Sequence, residues 1–343
     1  MAAPAVTRQH LTANAFFDSE LAASLRREPI GVWDIGARWG VDPLFHPVPE
    51  LCNVVSFEAD AAEAERLRNQ VPSEGRWAGY TVSSAVLAGT SGPVAFHLLG
   101  KPNNSSIYPA RRLPVERYGF LGFDEVSRLD LVATTVDELR AATLNGLPAP
   151  EIVKIDVQGA EHDILRGARR ALAECTLCIV CETQFMPAYE GIKLFSEIEL
   201  LLRDAGFAFY GFLDPQHRAT KRIDKRQSFG RERLIQADAV FFKDPFDREP
   251  AVALARRTTD VLTVAALLLG FFDFASELAD AGARDPALRA LVSNVARADT
   301  AALVSALEAA LMRAQANAGS VTVAVGKLID AYRDYQTFHD LKD

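Results

Sequence analysis

The segment Val32-Trp-Asp-Ile-Gly-Ala-Arg-Trp-Gly40, followed by Val54-Val-Ser-Phe-Glu-Ala-Asp60, constrains the fold more than any other part of the chain. It reads as a strand, a tight glycine turn, a helix and a second strand ending in an acid, which is half of a nucleotide-binding crossover. Gly36 can take backbone angles closed to other residues, and with Ala37 and Gly40 it keeps bulky side chains out of a turn where a ligand meets the main chain. Glu58 lies 22 residues beyond Gly36, close to the roughly 20-residue spacing that sets a carboxylate on ribose hydroxyls. The expected ligand therefore contains a ribose. The plain alternative is an ordinary strand-to-helix turn.

Two ribose-bearing ligands compete for this turn. A dinucleotide fingerprint is G-x-G-x-x-G, with glycines opening a helix N-terminus to a pyrophosphate. Here Arg38 stands at the second glycine and Asp34 precedes the first. A carboxylate in that place repels a pyrophosphate and suits a cation, such as the methionyl ammonium or sulfonium of S-adenosylmethionine. Two readings stay open beside it: an NAD-type dinucleotide-binding oxidoreductase, and a non-catalytic scaffold acting through its C-terminal helices.

With 343 residues, 49% of them hydrophobic, the chain can bury a large core. Its net charge of -8 argues against non-specific nucleic-acid binding, although local basic pairs stand out at Arg111-Arg112, Lys221-Arg222 and Lys225-Arg226. Each falls in a predicted loop and reads either as a solvated face or as a clamp on an anionic substrate. Residues 1–20 carry Arg8, His10, Asp18 and Glu20 and hold no apolar core of signal-peptide length, so a cytoplasmic protein is expected. The apolar run Val261–Phe272 is broken by Thr263 and Gly270 and falls short of the about 20 residues that a membrane span needs. Cys175, Cys178 and Cys181 have a C-x2-C-x2-C spacing, but on a buried strand residues three apart face opposite ways, so they read as small core residues.

Residues 1–29 read as helices in two pieces that cover the rest, with Asp18 capping Ser19–Arg27 and Pro29 ending it. Strands are then predicted at Val32–Ile35, Val54–Phe57, Tyr80–Val86, Val94–Leu98, Ile152–Ile155 and Leu177–Cys181. Helices are predicted at Ala61–Asn69, Thr135–Ala142, Ala160–Ala173 and Leu194–Ala205. The alternation specifies a doubly wound α/β sheet with an antiparallel edge from Phe207–Leu213 and Ala237–Phe242, and a seven-stranded sheet is expected. The sheet domain spans residues 30–246. Asp, Pro and Arg at 244–250 read as a linker, and residues 251–343 as a separate all-helical appendage that could pair two subunits.

A second constellation, Ile152-Val-Lys-Ile-Asp-Val-Gln-Gly-Ala-Glu161, is another strand running into a helix, with Asp156 at the strand's carboxyl end. Ligands bind at such ends in open α/β sheets. With Glu182 closing the next strand, Asp156, Glu161 and Glu182 are expected to converge on the reaction site. The order D-x-G-A, F-E-x-D, T-x-D-E-L, then V-K-I-D-x-x-G-A-E with L-x-G-A, resembles the FkbM family of S-adenosylmethionine-dependent O-methyltransferases over roughly Val32 to Lys243. The resemblance implies a class I methyltransferase (Rossmann-like) fold and methylation of a hydroxyl on a sugar, glycan or polyketide.

It also implies a cofactor loop of Asp34, Gly36, Ala37 and Gly40, a ribose acid at Glu58 with Ala59 beside it, and adenine near Ser84, Ala85 and Val86. Asp156 is implied to face the methyl donor, and Asn104, Ser105, Ser106 and Tyr108 to lie on a substrate-side loop. Three departures alter the picture: Gln158 where the family commonly has Glu, Arg38 for Asn and Ala59 for Pro. Gln158 cannot act as a base, which moves that role to Asp156, Glu161 or Glu182. Arg38 has a fork suited to the methionyl carboxylate. Asp156 and Glu182 could hold a magnesium ion that acidifies the hydroxyl. His162, His97 and His217 are alternative bases.

Overall fold

The computed structural model describes residues 5–70, 77–142, 146–220, 222, 231–247, 254–282 and 288–297. Its centre is a run of strands whose sequences are apolar at nearly every position. Ile30–Ile35 (β1) is buried throughout and pairs in parallel on both sides, with Cys52–Phe57 (β2) and, further along the chain, with Ile152–Ile155. A strand covered on both faces needs no polar alternation. The period of two still sorts its side chains: Ile30 and Val32 enter one core and Trp33 and Ile35 the other.

After helices α1 (Arg8–Ala13) and α2 (Glu20–Arg27), β1 and β2, the chain forms α3 (Ala61–Asn69), β3 (Gly79–Ser83), β4 (Val86–Leu87), β5 (Gly92–Leu99), α4 (Arg112–Tyr118), β6 (Glu125–Thr134) and α5 (Val136–Ala142). Then follow β7 (Ile152–Ile155), α6 (Glu161–Arg166), α7 (Arg169–Glu174), β8 (Cys178–Gln184), α8 (Phe195–Asp204), β9 (Ala208–Arg218), β10 (Arg233–Phe242), α9 (Arg256–Leu269) and α10 (Phe272–Gly282). The main sheet has seven strands in the order β3-β2-β1-β7-β8-β10-β9, with β10 antiparallel to both neighbours. This is the expected doubly wound sheet with its antiparallel edge.

Several expectations are corrected. Val94–Leu98 lies within β5, outside the main sheet, in a three-stranded sheet ordered β4-β6-β5. The expected strand Tyr80–Val86 is divided between the two sheets. Sequence reading missed β6, whose first residues Glu125–Asp130 are exposed and mostly polar, so no apolar run announces them. Ser19 caps α2 by accepting the Ala22 N–H, while Asp18 sits in a preceding 3-10 turn. The expected helix Ala160–Ala173 breaks into α6 and α7 near Gly167, where a Cβ would stand 2.6 Å from the Ala88 carbonyl oxygen.

The C-terminal helices are packed on the sheet. Val261, Leu262, Ala265, Ala266 and Leu268 of α9 and Leu278 of α10 share one core with Leu21 and Leu25 of α2 and with Val32, Val54, Val180 and Val240 of the sheet. Helices α6, α7 and α8 cover the opposite face. The remainder of the expected appendage, 298–343, lies outside the described residues. Cys178 faces the first core and Cys181 the second, which confirms their reading as core residues pointing to opposite sides. Among the described residues no helix is long and apolar enough to cross a membrane.

Candidate functional site

The face of the sheet that meets α2 and α9 changes character along each strand. Ile30 and Val32 lead to Asp34, Ile152 leads to Lys154 and Asp156, Cys178 and Val180 lead to Glu182, and Phe242 and Val240 lead to Asp238. Because side chains repeat every second residue, these polar groups share one face. The register brings them together: Asp34 stands opposite Lys154, and Asp238 opposite Glu182. They floor a cavity of about 630 Å³ at the carboxyl ends of the strands.

Lys154 is nearly fully buried, with Nζ 3.2 Å from Asp156 Oδ2 and 3.7 Å from Asp42 Oδ2. Burial alone would lower its pKa, but Asp156, Asp34, Asp42 and Asp238 hold it well above the ordinary lysine range. Asp34 Oδ2 accepts the Asp42 N–H at 2.8 Å. Burial, with Asp42 and Asp156 nearby, raises the Asp34 carboxyl against the pull of Lys154. Asp42 Oδ2 is buried and accepts no hydrogen bond. Five acids around one lysine make a floor that favours a cation.

Gln158 joins the two carboxylates expected to do chemistry. Its Nε2 lies 2.8 Å from Asp156 Oδ1 and 2.8 Å from Glu182 Oε2, while Gln236 donates to Glu182 Oε1 at 2.9 Å. The Gln158 backbone is left-handed, with φ of 60°, and its carbonyl accepts the Ser106 hydroxyl at 2.7 Å. The Tyr189 hydroxyl is 3.1 Å from Gln158 Oε1 and 2.8 Å from the Asn104 carbonyl. Asp156 is half-buried; against the desolvation that would raise it, Lys154 and the Gln158 amide hold its carboxyl below the usual range. Glu182 goes the other way: burial and the nearby Asp156, Glu161 and Asp238 push it well up despite Lys154.

Glu161 does not face the cavity as expected. It is folded into the preceding loop, where it accepts the backbone N–H groups of Val157 at 3.1 Å and Gly159 at 2.9 Å, and burial pushes its pKa up to about 7. The loop needs those N–H groups satisfied, and an acid at the first helical position reaches them. The expected magnesium site does not fit either. The space between Asp156 and Glu182 is taken by an amide nitrogen and flanked by an ammonium, and no cluster of three metal-ligating side chains occurs among the described residues.

The turn at the end of β1 is built as expected, with one change of reason. Gly36 and Ala37 donate to the Phe57 carbonyl at 3.0 Å, and Gly36 has φ of 93°. Its missing side chain makes room for the protein itself: a Cβ there would lie 1.9 Å from the Asp156 carbonyl oxygen. Gly40 is the open position, where an added Cβ meets nothing within 4 Å. Ala37, Arg38, Gly40, Glu58, Ala59, Ala85 and Val86 line the cavity. Ser84 is exposed and does not. Glu58 is buried at the end of β2 and accepts the Asp60 N–H at 2.8 Å, and burial raises its carboxyl. Arg38 leans on that acid, 3.9 Å from Glu58 and 3.5 Å from Asp60. Phe57, Leu87, Phe96, Ile107 and Ile164 add an apolar slot beside it.

Of the expected substrate loop, Asn104 and Ser105 line the cavity, while Ser106 and Tyr108 brace it from behind, Tyr108 through a hydrogen bond to Asp163. His97 pairs with Glu125 at 2.7 Å and His162 lies 3.7 Å from Asp163; neither they nor His217 line the cavity. Sequence reading missed Lys154, Asp238, Gln236 and Tyr189. The first two were legible through the period of two from Ile152 and Val240; Tyr189 comes from an irregular segment that carries no pattern.

A sheet in this order, with β10 antiparallel to both neighbours and an acid at the end of β2, is that of a class I methyltransferase. The Methyltransferase FkbM domain matches residues 34–209, just over half of the chain. The chain belongs to the FkbM methyltransferase family, whose membership implies S-adenosylmethionine as cofactor. Among solved structures it is similar to a methyltransferase FkbM from Methylobacillus flagellatus KT, at 16% identity and a TM-score of 0.35, over 62% of this chain and 43% of that one. This chain thus spans less than half the length of that relative. A precorrin-6y C5,15-methyltransferase from Geobacter metallireducens GS-15 aligns at 12% identity and a TM-score of 0.31, over 65% of this chain and 86% of that one. The magnesium protoporphyrin IX methyltransferase of Synechocystis PCC 6803, with bound S-adenosylmethionine, aligns at 10% and 0.32, over 69% and 80%. No functionally curated protein sequence matches.

Proposed function

We propose that this chain is an S-adenosylmethionine-dependent O-methyltransferase acting on a hydroxyl of a sugar, glycan or polyketide-type acceptor. The observation that carries the reading is the convergence of Asp34, Asp42, Asp156, Glu182 and Asp238 around Lys154 on a cavity floor, with Asp42 Oδ2 buried and accepting no hydrogen bond. Such a floor accepts an ammonium and a nearby sulfonium, and a dinucleotide pyrophosphate would be repelled. Glu58 accepts from ribose hydroxyls, and the apolar slot of Phe57, Leu87 and Ile164 takes the adenine.

The bound cofactor supplies an electrophilic methyl group. The protein's share is to hold the acceptor in line and remove its proton. Glu182 is the base, because a carboxylate whose pKa is raised by burial holds a proton more strongly than a surface acid. Asp156, kept ionised by Lys154, and the Gln158 amide fix its position. No step runs through a metal, and a chelator is expected to leave turnover unchanged.

Calorimetry with S-adenosylhomocysteine tests the cofactor site directly. Glu58→Ala should weaken binding at least about tenfold, roughly 1.4 kcal/mol. Unchanged affinity would refute the assignment. Binding without transfer of a labelled methyl group to any hydroxyl acceptor would favour the scaffold reading.

A further inference from the structure

The cavity is lined by charges of both signs. Besides the acids of its floor, the loop at 101–105, residues 119–121 and 123 and the end of β9 form a wall that carries Lys101 and Arg218. These parts are tied together. Lys101 N–H donates to the Gly122 carbonyl at 2.9 Å, and Asn104 Nδ2 donates to the Leu121 carbonyl at 3.2 Å. The Arg218 guanidinium sits 5.6 Å above the Phe120 ring.

Arg218 stands directly opposite Arg233 in the β9–β10 ladder. Like charges facing each other across strands are destabilising, and an aromatic ring lies beside each guanidinium, Phe120 beside Arg218 and Tyr118 beside Arg233. Arg233 lies 5.9 Å from the Tyr118 ring and donates to the Phe185 carbonyl at 3.1 Å, and Arg117 stacks 5.5 Å from the same Tyr118 ring. The one acid of β9 that lines this wall, Asp214, is occupied by Gln216 Nε2 at 3.0 Å. In a chain of net charge -8, two cations, Lys101 and Arg218, line this wall, while Arg233, opposite Arg218 in the ladder, does not reach the cavity lining. The mouth is also apolar: Trp39 is 67% exposed and Leu121 71%, and both line it.

We infer that the acceptor bears a phosphate group, gripped by Arg218 and Lys101 at the cavity wall, so that the compound methylated is a phosphorylated hydroxyl compound rather than a neutral one. The inference rests on the methyltransferase reading above and narrows its acceptor. Guanidinium forks match phosphate oxygens, and several cations suit a group carrying more than one negative charge. Phe120 and Trp39 then flank the portion next to the phosphate. The two signs of charge also orient the reactants: the cationic end of the cofactor is drawn to the floor and the anionic end of the acceptor to this wall, leaving the acceptor hydroxyl toward Glu182.

Inorganic pyrophosphate is the probe, titrated into the full chain and followed by calorimetry at fixed ionic strength. It should bind more tightly than acetate, and Arg218→Gln and Lys101→Gln should each weaken it about tenfold. Arg169→Gln, a change of equal charge on α7, should leave it unaltered. Absence of binding, equal binding of acetate, or equal losses in all three variants would overturn the proposal. S-adenosylhomocysteine titrated into the same proteins separates the two readings, since its affinity should be the same in wild type, Arg218→Gln and Lys101→Gln. A protein that bound pyrophosphate but not S-adenosylhomocysteine would refute the methyltransferase reading and, with it, the acceptor role of the phosphate site.

Discussion

Gln158 is the residue on which the site turns. Its amide donates to Asp156 and Glu182 at once and thereby stabilises two neighbouring carboxylates that would otherwise repel each other. Gln158→Ala removes that donor, so the proton of Glu182, already held by burial and by Asp156, Glu161 and Asp238 against Lys154, should be held more tightly still. Carbon-13 NMR of the carboxyl groups, with Glu182→Gln for assignment, should show Glu182 titrating above the ordinary carboxylate range and moving further up in Gln158→Ala. A midpoint that did not move would contradict the bridge. Gly36 is constrained by a different force. With φ of 93° and a Cβ position 1.9 Å from the Asp156 carbonyl oxygen, Gly36→Ala must push β1 and β7 apart where the cavity begins. Calorimetric melting should register a loss of several degrees or failure to fold.

At the scale of elements, α9 behaves as an inner layer of the sheet domain. Its residues Thr259 to Leu269 are all buried, and Arg257 locks its start by a bidentate pair with Glu151 and by donating to the Glu28 and Pro29 carbonyls. Glu151 in turn accepts the Gly31 N–H, so one acid ties α9 to β1. Leu262→Ala should cost roughly 2–5 kcal/mol in denaturant unfolding, as for a core leucine, and Arg257→Ala roughly 2 kcal/mol, since Glu151 is left without its cation. A single cooperative transition shifted by either change is expected. An autonomous appendage would instead melt alone and leave the sheet's transition in place. Sequence reading set these helices apart because residues 244–250 looked like a linker and α9 is apolar on every side, a pattern that signals burial without naming what it is buried against.

For the whole molecule, the acids gathered at the strand ends make stability depend on pH. Glu161 is raised to about 7 and Asp238 to about 6, and Asp34 and Glu182 are also raised, so the folded chain binds more protons than the unfolded one across this range. Their contribution is fully present below the unfolded carboxylate values near about 4 and is lost as pH rises through the folded ones, while Asp156, whose carboxyl is lowered, acts in the opposite sense and at lower pH. The melting temperature should therefore fall from about pH 5 to about pH 8, and S-adenosylmethionine should restore more of it at the higher pH, because a cation favours the ionised floor. A thermal-shift series across pH checks both. What the sequence determined alone was local and periodic: the glycine turn after β1, the apolar strands, and the acids Asp34, Glu58, Asp156 and Glu182 at strand ends, because a strand's order and its side-chain alternation are written in consecutive residues. Tertiary structure decided which of these meet. Register set Asp34 against Lys154 and Asp238 against Glu182, the backbone of the 157–159 loop drew Glu161 away, and pairing of β9 with β10 put Arg218 beside Arg233. Those contacts depend on how separate segments align in space, which no single stretch of the chain encodes.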